Sequence, residues 1–236
     1  MRRDFHNWYS SRLGRNMELL VFGEGGVPVV VFPTSRGRFF EYENSGMIHV
    51  LAQKIEECQL QMFCVDSVDG ESWYNHGVHP HVRVMRHLAY ESYILHEVAP
   101  LMQQLSGRQQ ICTTGCGFGG YHALNFALKH PDLTAACITM SGTFDLRPFM
   151  NGYYDNDFYL NNPVDYVPNL ADSWFLDRYQ QMRIVLAAGD HDIGLGENFR
   201  MAEILGRKGI PHWLDVWTGA EPDDWPLWQR MALKFF

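Results

Sequence analysis

Short apolar runs of strand length alternate with helical patterns along almost all of this 236-residue chain. Two of the runs, VPVVVF at 27–32 and RIVLAA at 183–188, are almost continuously apolar, which is typical of strands that helices cover on both faces. Strands joined through helices follow right-handed crossovers and lie parallel in one sheet. We therefore predict an α/β fold with helices on both faces of a mostly parallel sheet of about eight strands, at 5–10, 17–22, 27–32, 61–66, 111–116, 136–140, 183–188 and 212–217.

The helical patterns occupy the intervals between these strands, at 46–58, 81–104, 119–129, 197–208 and 225–235. The first two strands join through Leu13-Gly14-Arg15-Asn16, which predicts a hairpin turn there. The segment 143–177 is rich in Tyr, Asn, Asp and Pro, which is typical of an insertion over the mouth of the sheet or of plain loop. Since the chain shows no repeat or linker, we predict a single domain over 1–236 with a loop-rich insertion at about 143–177.

Composition and charge exclude several classes of protein. Apolar residues make up 46% and charged residues 19% of the chain, typical of a globular protein and not of a disordered one. The formal net charge of −8 argues against a general affinity for nucleic acid or anionic membrane. No apolar run approaches the roughly 18 residues of a membrane span, and the first fifteen residues lack the apolar core of a signal peptide. The five cysteines are odd in number and lack metal-ligand spacing, so we expect a cytoplasmic protein without disulfides, metal or cofactor.

The segment ICTTGCGFGGYHALNFALKHP carries the most specific local pattern. An apolar strand runs into Gly115-Cys116-Gly117-Phe118-Gly119-Gly120 and then directly into an amphipathic helix. In a G-x-S-x-G turn of this kind, small residues let the chain turn sharply and expose a nucleophilic serine where the helix begins. Here the central residue is Gly117, so the turn offers no hydroxyl. A dinucleotide-binding interpretation of GCGFGG is weaker, because no acidic partner for the ribose follows at the required spacing.

Further segments give this turn a family context. They are FPTSRGRFFEYEN after the third predicted strand, FCVDSVDGESWYN after the fourth, ITMSGTFD after the elbow helix, GDHDIGLGEN after the seventh strand, and the terminal DDWPLWQ. Together with TGCGFGGYHALNFALKHP they resemble the esterase D-type α/β-hydrolases, over essentially the whole chain. That family includes S-formylglutathione hydrolases, feruloyl esterases and the antigen 85 mycolyltransferases. The resemblance implies an α/β-hydrolase fold with a nucleophile, an acid and a histidine in that chain order.

The resemblance assigns each triad position to a residue of this chain. The nucleophile position is Gly117, the acid position is Asp192, and the histidine position, where relatives resemble G-H-D-W-P, is Asp223. No histidine follows His212, so two of the three positions lack the group that acyl transfer requires.

The same resemblance implies an oxyanion hole, a pair of backbone N–H groups that hold a ligand oxygen. One N–H belongs to Phe118 and the other to Ser35 or Arg36.

Cysteines and histidines near the turn are the remaining candidates for a nucleophile, a base or a metal ligand. A shift of one residue along the strand end points Cys116 away from the nucleophile direction, so we predict a buried cysteine. His122 could reach the pocket rim, but we favour packing on the helix surface. Four other histidines lack regular ligand spacing, so we expect surface loop residues and no zinc site: His76, His79, His81 and His87.

These observations leave two hypotheses for function. The first is a non-catalytic esterase homologue, a binding or scaffold protein that keeps a pocket for a small molecule. The second is an enzyme with other chemistry, using the backbone oxyanion hole and a carboxylate cluster of Asp192, Asp223 and Asp224. Crowding of Glu221, Asp223 and Asp224 against Asp192 would raise one carboxyl pKa, although exposure of Asp223 to solvent is the simpler expectation. Nothing in the sequence decides between a monomer and a homo-oligomer.

Overall fold

An eight-stranded sheet forms the centre of the computed structural model, which describes residues 1–219 and 224–236. The strand order is β1-β2-β4-β3-β5-β6-β7-β8, with β1 and β2 antiparallel to their neighbours and the others parallel. This arrangement confirms the predicted α/β-hydrolase fold. The strands are β1 (Arg3–Ser10), β2 (Arg15–Phe22), β3 (Val27–Phe32), β4 (Leu60–Val65), β5 (Ile111–Cys116), β6 (Thr134–Met140), β7 (Arg183–Gly189) and β8 (Trp213–Trp217).

The β1–β2 hairpin turn lies two residues earlier than the sequence predicts. Ser10 pairs with Arg15, so Arg15 and Asn16 belong to β2 and the turn occupies residues 11–14. Gly14 ends it with a φ of 66°, the left-handed conformation that glycine adopts at little cost.

Helices cover both faces of the sheet. They are α1 (Glu41–Asn44), α2 (Met47–Val50), α3 (Ala52–Glu56), α4 (Pro80–Tyr93), α5 (Ala99–Ser106), α6 (Phe118–Lys129), α7 (Asn156–Tyr159), α8 (Pro163–Tyr166), α9 (Ser173–Tyr179), α10 (Leu195–Arg207) and α11 (Trp225–Phe235). Among the described residues, no helix has both the length and the apolar content needed to cross a membrane.

Two of the predicted helices are interrupted. The pattern at 46–58 forms two short helices separated at Leu51, where φ is −90° and ψ is 0°. The pattern at 81–104 forms α4 and α5 joined by a π-helical segment, Ile94–Val98. Pro100 follows that segment and has no N–H to donate to the carbonyl four residues earlier, which favours a local change of helical register.

The core consists of two apolar layers, one on each face of the sheet. Because side chains alternate along a strand, Val30 and Phe32 pack with α4, α5 and α6, while Val29 and Val31 pack with α2, α3 and α11. Each fully buried side chain of this size contributes roughly 1.5–3 kcal/mol through removal from water. This two-sided burial explains why β3 is apolar at every position.

The segment 143–177 contains α7, α8, the first part of α9 and two 3₁₀ turns, Arg147–Phe149 and Val167–Asn169. Its Phe158 is buried in a cluster with Trp73 and Tyr121. The Phe149 ring lies 5.4 Å from that of Phe118, at the start of α6. Part of this segment therefore packs directly against the glycine turn.

Candidate functional site

The glycine turn between β5 and α6 has the backbone geometry of a nucleophile elbow. A Cβ on Gly115 would lie 2.3 Å from the Gly119 carbonyl carbon, and a Cβ on Gly119 would lie 2.4 Å from the Phe32 carbonyl oxygen. Gly117 has φ 54° and ψ −119°, with open space where a Cβ would lie. Two glycines are thus required by close approach, and the third occupies a conformation that would strain any residue with a Cβ, and presents no side chain.

Backbone N–H groups face the same end of the sheet from two loops. At the start of α6, the N–H groups of Phe118 and Gly119 have no acceptor among the described residues. In the loop after β3, the Ser35 N–H also lacks an acceptor in the described part of the chain. The Arg36 N–H instead donates to Asp69 Oδ2 at 3.4 Å, and the Arg36 guanidinium lies 4.9 Å from the Tyr74 ring. This geometry favours Ser35 over Arg36 as the partner of Phe118.

Asp192, at the acid position, lies in the loop after β7 and is 6% exposed. Its Oδ2 accepts from the Ser141 hydroxyl and from the Gly189 N–H, each at 2.5 Å. Trp228 Nε1 in turn donates to Ser141 Oγ at 2.8 Å. The segments ITMSGTFD and DDWPLWQ indicate no role for Ser141 or Trp228 by themselves, because the contact joins positions 87 residues apart.

The histidine position falls outside the described residues. Asp223, and with it Glu221, belongs to the segment 220–223, so the predicted carboxylate cluster cannot be placed as a whole. Asp224 is described: its carboxylate accepts from the Trp225 N–H at 2.7 Å and caps α11.

His122 does not lie on a helix surface, contrary to the prediction. It is 3% exposed, and its Nε2 lies 2.8 Å from Oδ1 of the fully buried Asp69. The Phe118 ring packs against it edge to face at 5.3 Å. The reason is that α6 is buried along residues 118–128 and has no solvent-facing side there. Asp69 was missed, and only its place in FCVDSVDGESWYN could have drawn attention to it.

The prediction that the four histidines at 76–87 are surface residues is wrong for His87. His87 is buried, with its Nε2 3.2 Å from both Asn161 Oδ1 and the Tyr121 hydroxyl, and burial lowers its pKa well below the usual value.

The remaining three histidines of this group have separate partners. His79 accepts from the His81 N–H, His81 contacts Asp155, and His76 contacts Arg83. Among the described residues, no three His, Cys, Asp or Glu side chains converge as metal ligands do.

Cys116 is fully buried, which confirms the prediction for this cysteine. Its Sγ lies 3.3 Å from the Tyr42 hydroxyl, and burial raises the pKa of the thiol far above its ordinary value. A thiol held protonated in this way is a poor nucleophile. Cys64, Cys112 and Cys137 are also buried.

A pocket of about 340 Å³ opens directly above Gly117. Loops after β3, β5, β6 and β7 meet there, at the carboxyl edge of the sheet where ligands of open α/β sheets bind. The lining residues are Thr34, Ser35, Gly117, Phe118, Ser141, Thr143, Ile193, Gly194, Glu197 and Trp228. This described lining contains no histidine, and neither Cys116 nor His122 reaches it. The pocket offers hydrogen-bond donors to a ligand oxygen, but its described lining holds no imidazole to accept a proton.

Among the described lining residues, one carboxylate faces this pocket. Glu197, in the first turn of α10, accepts from the Phe144 and Asp145 N–H groups through Oε2 at 2.6 and 2.9 Å. These bonds fix the loop after β6 against α10. Glu197 therefore has a structural role in shaping the pocket wall.

Comparison with known proteins agrees with this geometry. The family model described as "Putative esterase" matches residues 10–213. A ferulic acid esterase structure superposes with a TM-score of 0.79 at 16% identity, covering 99% of this chain and 96% of that one. S-formylglutathione hydrolase FrmB from Staphylococcus aureus gives 0.72 at 16% identity, over 99% and 94%. Mycobacterium tuberculosis MPT51 gives 0.70 at 14% identity, over 98% and 97%.

No curated protein sequence matches the chain significantly. At these identities the structural likeness shows the fold alone, whereas the family model covers most of the chain. The matched segment includes the sheet from the end of β1 to the start of β8, together with the glycine turn. This chain therefore belongs to the esterase family of α/β-hydrolases.

Proposed function

We propose that this chain is a non-hydrolytic member of the esterase family, a receptor or scaffold that binds a small molecule in the pocket above Gly117. The observation that carries the proposal is the conformation of Gly117, φ 54° and ψ −119°, with no side chain on it. The turn keeps the shape that presents a nucleophile, while the residue at its centre has no nucleophilic group.

The serines that line the pocket do not replace the missing hydroxyl. Ser141 donates its proton to the buried Asp192, and Ser35 Oγ accepts from the Tyr74 hydroxyl at 2.8 Å. Neither serine contacts a histidine among the described residues. A serine hydroxyl without a base is a weak nucleophile at neutral pH.

The pocket nevertheless retains the means to bind a ligand. The Phe118 and Ser35 N–H groups can donate to a carbonyl or carboxylate oxygen. The volume of about 340 Å³ lies within the range of small-molecule sites. The names of the similar structures indicate a ferulic acid ester and a glutathione thioester as substrates of those proteins. We therefore choose aryl esters and aryl carboxylates as probes.

An enzyme that uses Asp192, Asp223 and Asp224 with the backbone oxyanion hole is the second candidate. The two described carboxylates already have structural roles: Asp192 holds Ser141 and Gly189, and Asp224 caps α11. These contacts support the binding protein over the enzyme, and we rank the carboxylate enzyme second.

The binding proposal is tested by titrating the protein with methyl ferulate and ferulate and recording the melting temperature. A ligand that binds only the folded state raises the unfolding free energy by RT ln(1 + [L]/Kd), so millimolar probe should reveal even weak binding. Thr143→Trp should fill the pocket and abolish the shift, whereas Thr143→Val, which keeps the shape, should retain it. An equal shift in wild type and Thr143→Trp, or no shift with either probe, would contradict the proposal.

A further inference from the structure

A second cavity, of about 270 Å³, lies at the opposite end of α6 from the glycine turn. Leu128 and Lys129, the last residues of α6, form part of its wall. The length of the helix places it roughly 16 Å from the start of α6 at Phe118. The two cavities share no lining residue. The second cavity is therefore separate from the pocket above Gly117.

The walls of this second cavity are largely apolar and aromatic. Leucines from α4 and α6 and Phe175 from α9 contribute, and Leu160, which directly follows α7 at the rim, is 45% exposed. Tyr166 and Tyr179 also line the cavity, but their hydroxyl groups are engaged elsewhere. Tyr166 donates to Asn125 Oδ1 at 3.2 Å, and Tyr179 donates to the Leu128 carbonyl. The two tyrosines therefore offer ring carbons to an occupant.

One charge in the lining is balanced and one is not. The Lys129 ammonium donates to Glu91 and to Asn161 Oδ1, the latter at 2.8 Å, so its charge is compensated. The Asp157 carboxylate has no ion-pair or hydrogen-bond partner among the residues that the structure describes. The uncompensated charge of the cavity is therefore negative, at the edge of an apolar surface.

We propose that this cavity binds a hydrophobic amine, with the apolar body against Leu160, Phe175 and Tyr179 and the ammonium group at Asp157. The volume is close to twice the roughly 150 Å³ of a cavity that binds one benzene ring, so a two-ring body fits. Aromatic ring faces also attract an ammonium group. A carboxylate on the same body would meet the Asp157 charge and be repelled.

Three probes with the same two-ring body test the charge requirement: 2-naphthylmethylamine, 2-naphthylmethanol and 2-naphthoate. Titration calorimetry should give one site per chain. Shifts in ¹⁵N NMR spectra should include the Leu128 and Lys129 amides. The amine should bind about two- to fivefold more tightly than the alcohol, the range expected for one partly exposed ion pair, and the acid should bind most weakly.

Substitutions locate the site and its charge. Asp157→Asn should make the amine bind no better than the alcohol, while Asp177→Asn, an exposed carboxylate of α9, should leave the amine preference intact. Leu160→Arg should abolish binding of all three probes. Leu233→Arg is the matched control, because Leu233 on α11 is 46% exposed, almost the same as Leu160.

Three results would overturn the proposal. They are no binding by any probe at its solubility limit, binding that survives Leu160→Arg, and an amine preference that survives Asp157→Asn. Thr143→Trp, which fills the pocket above Gly117, should leave amine binding unchanged. The outcome of these binding experiments is therefore independent of the function proposed for the pocket above Gly117.

Discussion

The Gly117 backbone lies in a region of φ and ψ where a residue with a Cβ costs about 1–3 kcal/mol of conformational strain. A hydrolase tolerates that strain because the turn must expose its nucleophile. Glycine relieves the strain and leaves the turn unchanged. A protein that binds without hydrolysing has no reason to retain a strained serine, so glycine at this position is the stable choice.

The strain at residue 117 predicts that Gly117→Ala lowers the free energy of unfolding by about 1–2 kcal/mol. The loss should come from backbone conformation alone, since a Cβ there meets no atom within 4 Å. Denaturant melts with equal m-values measure it.

Gly196→Ala in α10 is the matched control, with equally open space around its Cβ. There alanine should stabilise the protein, by up to about 1 kcal/mol, because the site is helical. A Gly117→Ala midpoint equal to or above wild type would contradict an elbow conformation at residue 117.

Restoring the missing groups predicts how activity returns. Wild type and Gly117→Ser should show no turnover of p-nitrophenyl acetate above denatured protein. The wild type lacks the hydroxyl, and the hydroxyl of Gly117→Ser has no base to activate it. Gly117→Ser combined with Asp223→His should give measurable hydrolysis, since Asp192 and the backbone donors complete the set. Equal activity in the single and double variants would show that residue 223 is not the position of the base. Turnover by the wild type would refute the non-hydrolytic proposal itself.

Among the helices, α4 and the end of α6 are joined by a polar contact at the edge of an apolar layer. Glu91 of α4 contacts Lys129 and lies 2.8 Å from His130 Nε2, and its side chain is 12% exposed. Burial opposes ionisation of Glu91, but the bonds to His130 and Lys129 outweigh it and hold the pKa at about 2. This pair also positions Lys129 at the second cavity.

The lowered pKa of Glu91 predicts a loss of stability in acid. A carboxyl group whose pKa is lower in the folded than in the unfolded chain stabilises the fold above its unfolded value, near 4.5. That contribution, about 3 kcal/mol, disappears as the pH falls from about 4.5 toward 2.

Glu91→Gln should therefore be less stable than wild type at pH 6. Its free energy of unfolding should also change less with pH between about 4.5 and 2, as measured by urea melts at each pH. Glu203→Gln, at an exposed ion pair with Arg207, should follow the wild-type profile. Parallel profiles for Glu91→Gln and wild type would exclude this role for Glu91.

Across the whole molecule, two apolar layers enclose every cysteine except Cys58, which is exposed. The native protein should therefore react rapidly with one equivalent of Ellman's reagent, and with five after denaturation. Cys58→Ser should remove the rapid phase. A second thiol that reacts before unfolding would show that one of the layers opens locally.

Much of the architecture is readable from the sequence because it depends on local patterns. Each predicted strand overlaps an observed one, with ends that differ by two residues at most. The glycine turn is largely local, since Gly115 meets the Gly119 backbone and Gly117 has a positive φ, whereas the demand on Gly119 comes from the Phe32 carbonyl oxygen on a distant strand. The interruption within 81–104 was missed because the change of helical register at Ile94–Val98 leaves the apolar periodicity almost intact.

Contacts between distant residues were decided only by the tertiary structure. His122 meets Asp69 across 53 positions, and Ser141 meets Asp192 across 51, so neither spacing carries a signal along the chain. The burial of His122 follows from the position of α6 between the sheet and its neighbouring helices, which no single-helix pattern reveals. The sequence by itself determined the order of strands and helices and the shape of one turn, because both follow from local apolar patterning and backbone sterics. The pairing of buried polar groups and the two cavities required the folded chain, because packing brings together residues that the sequence holds far apart.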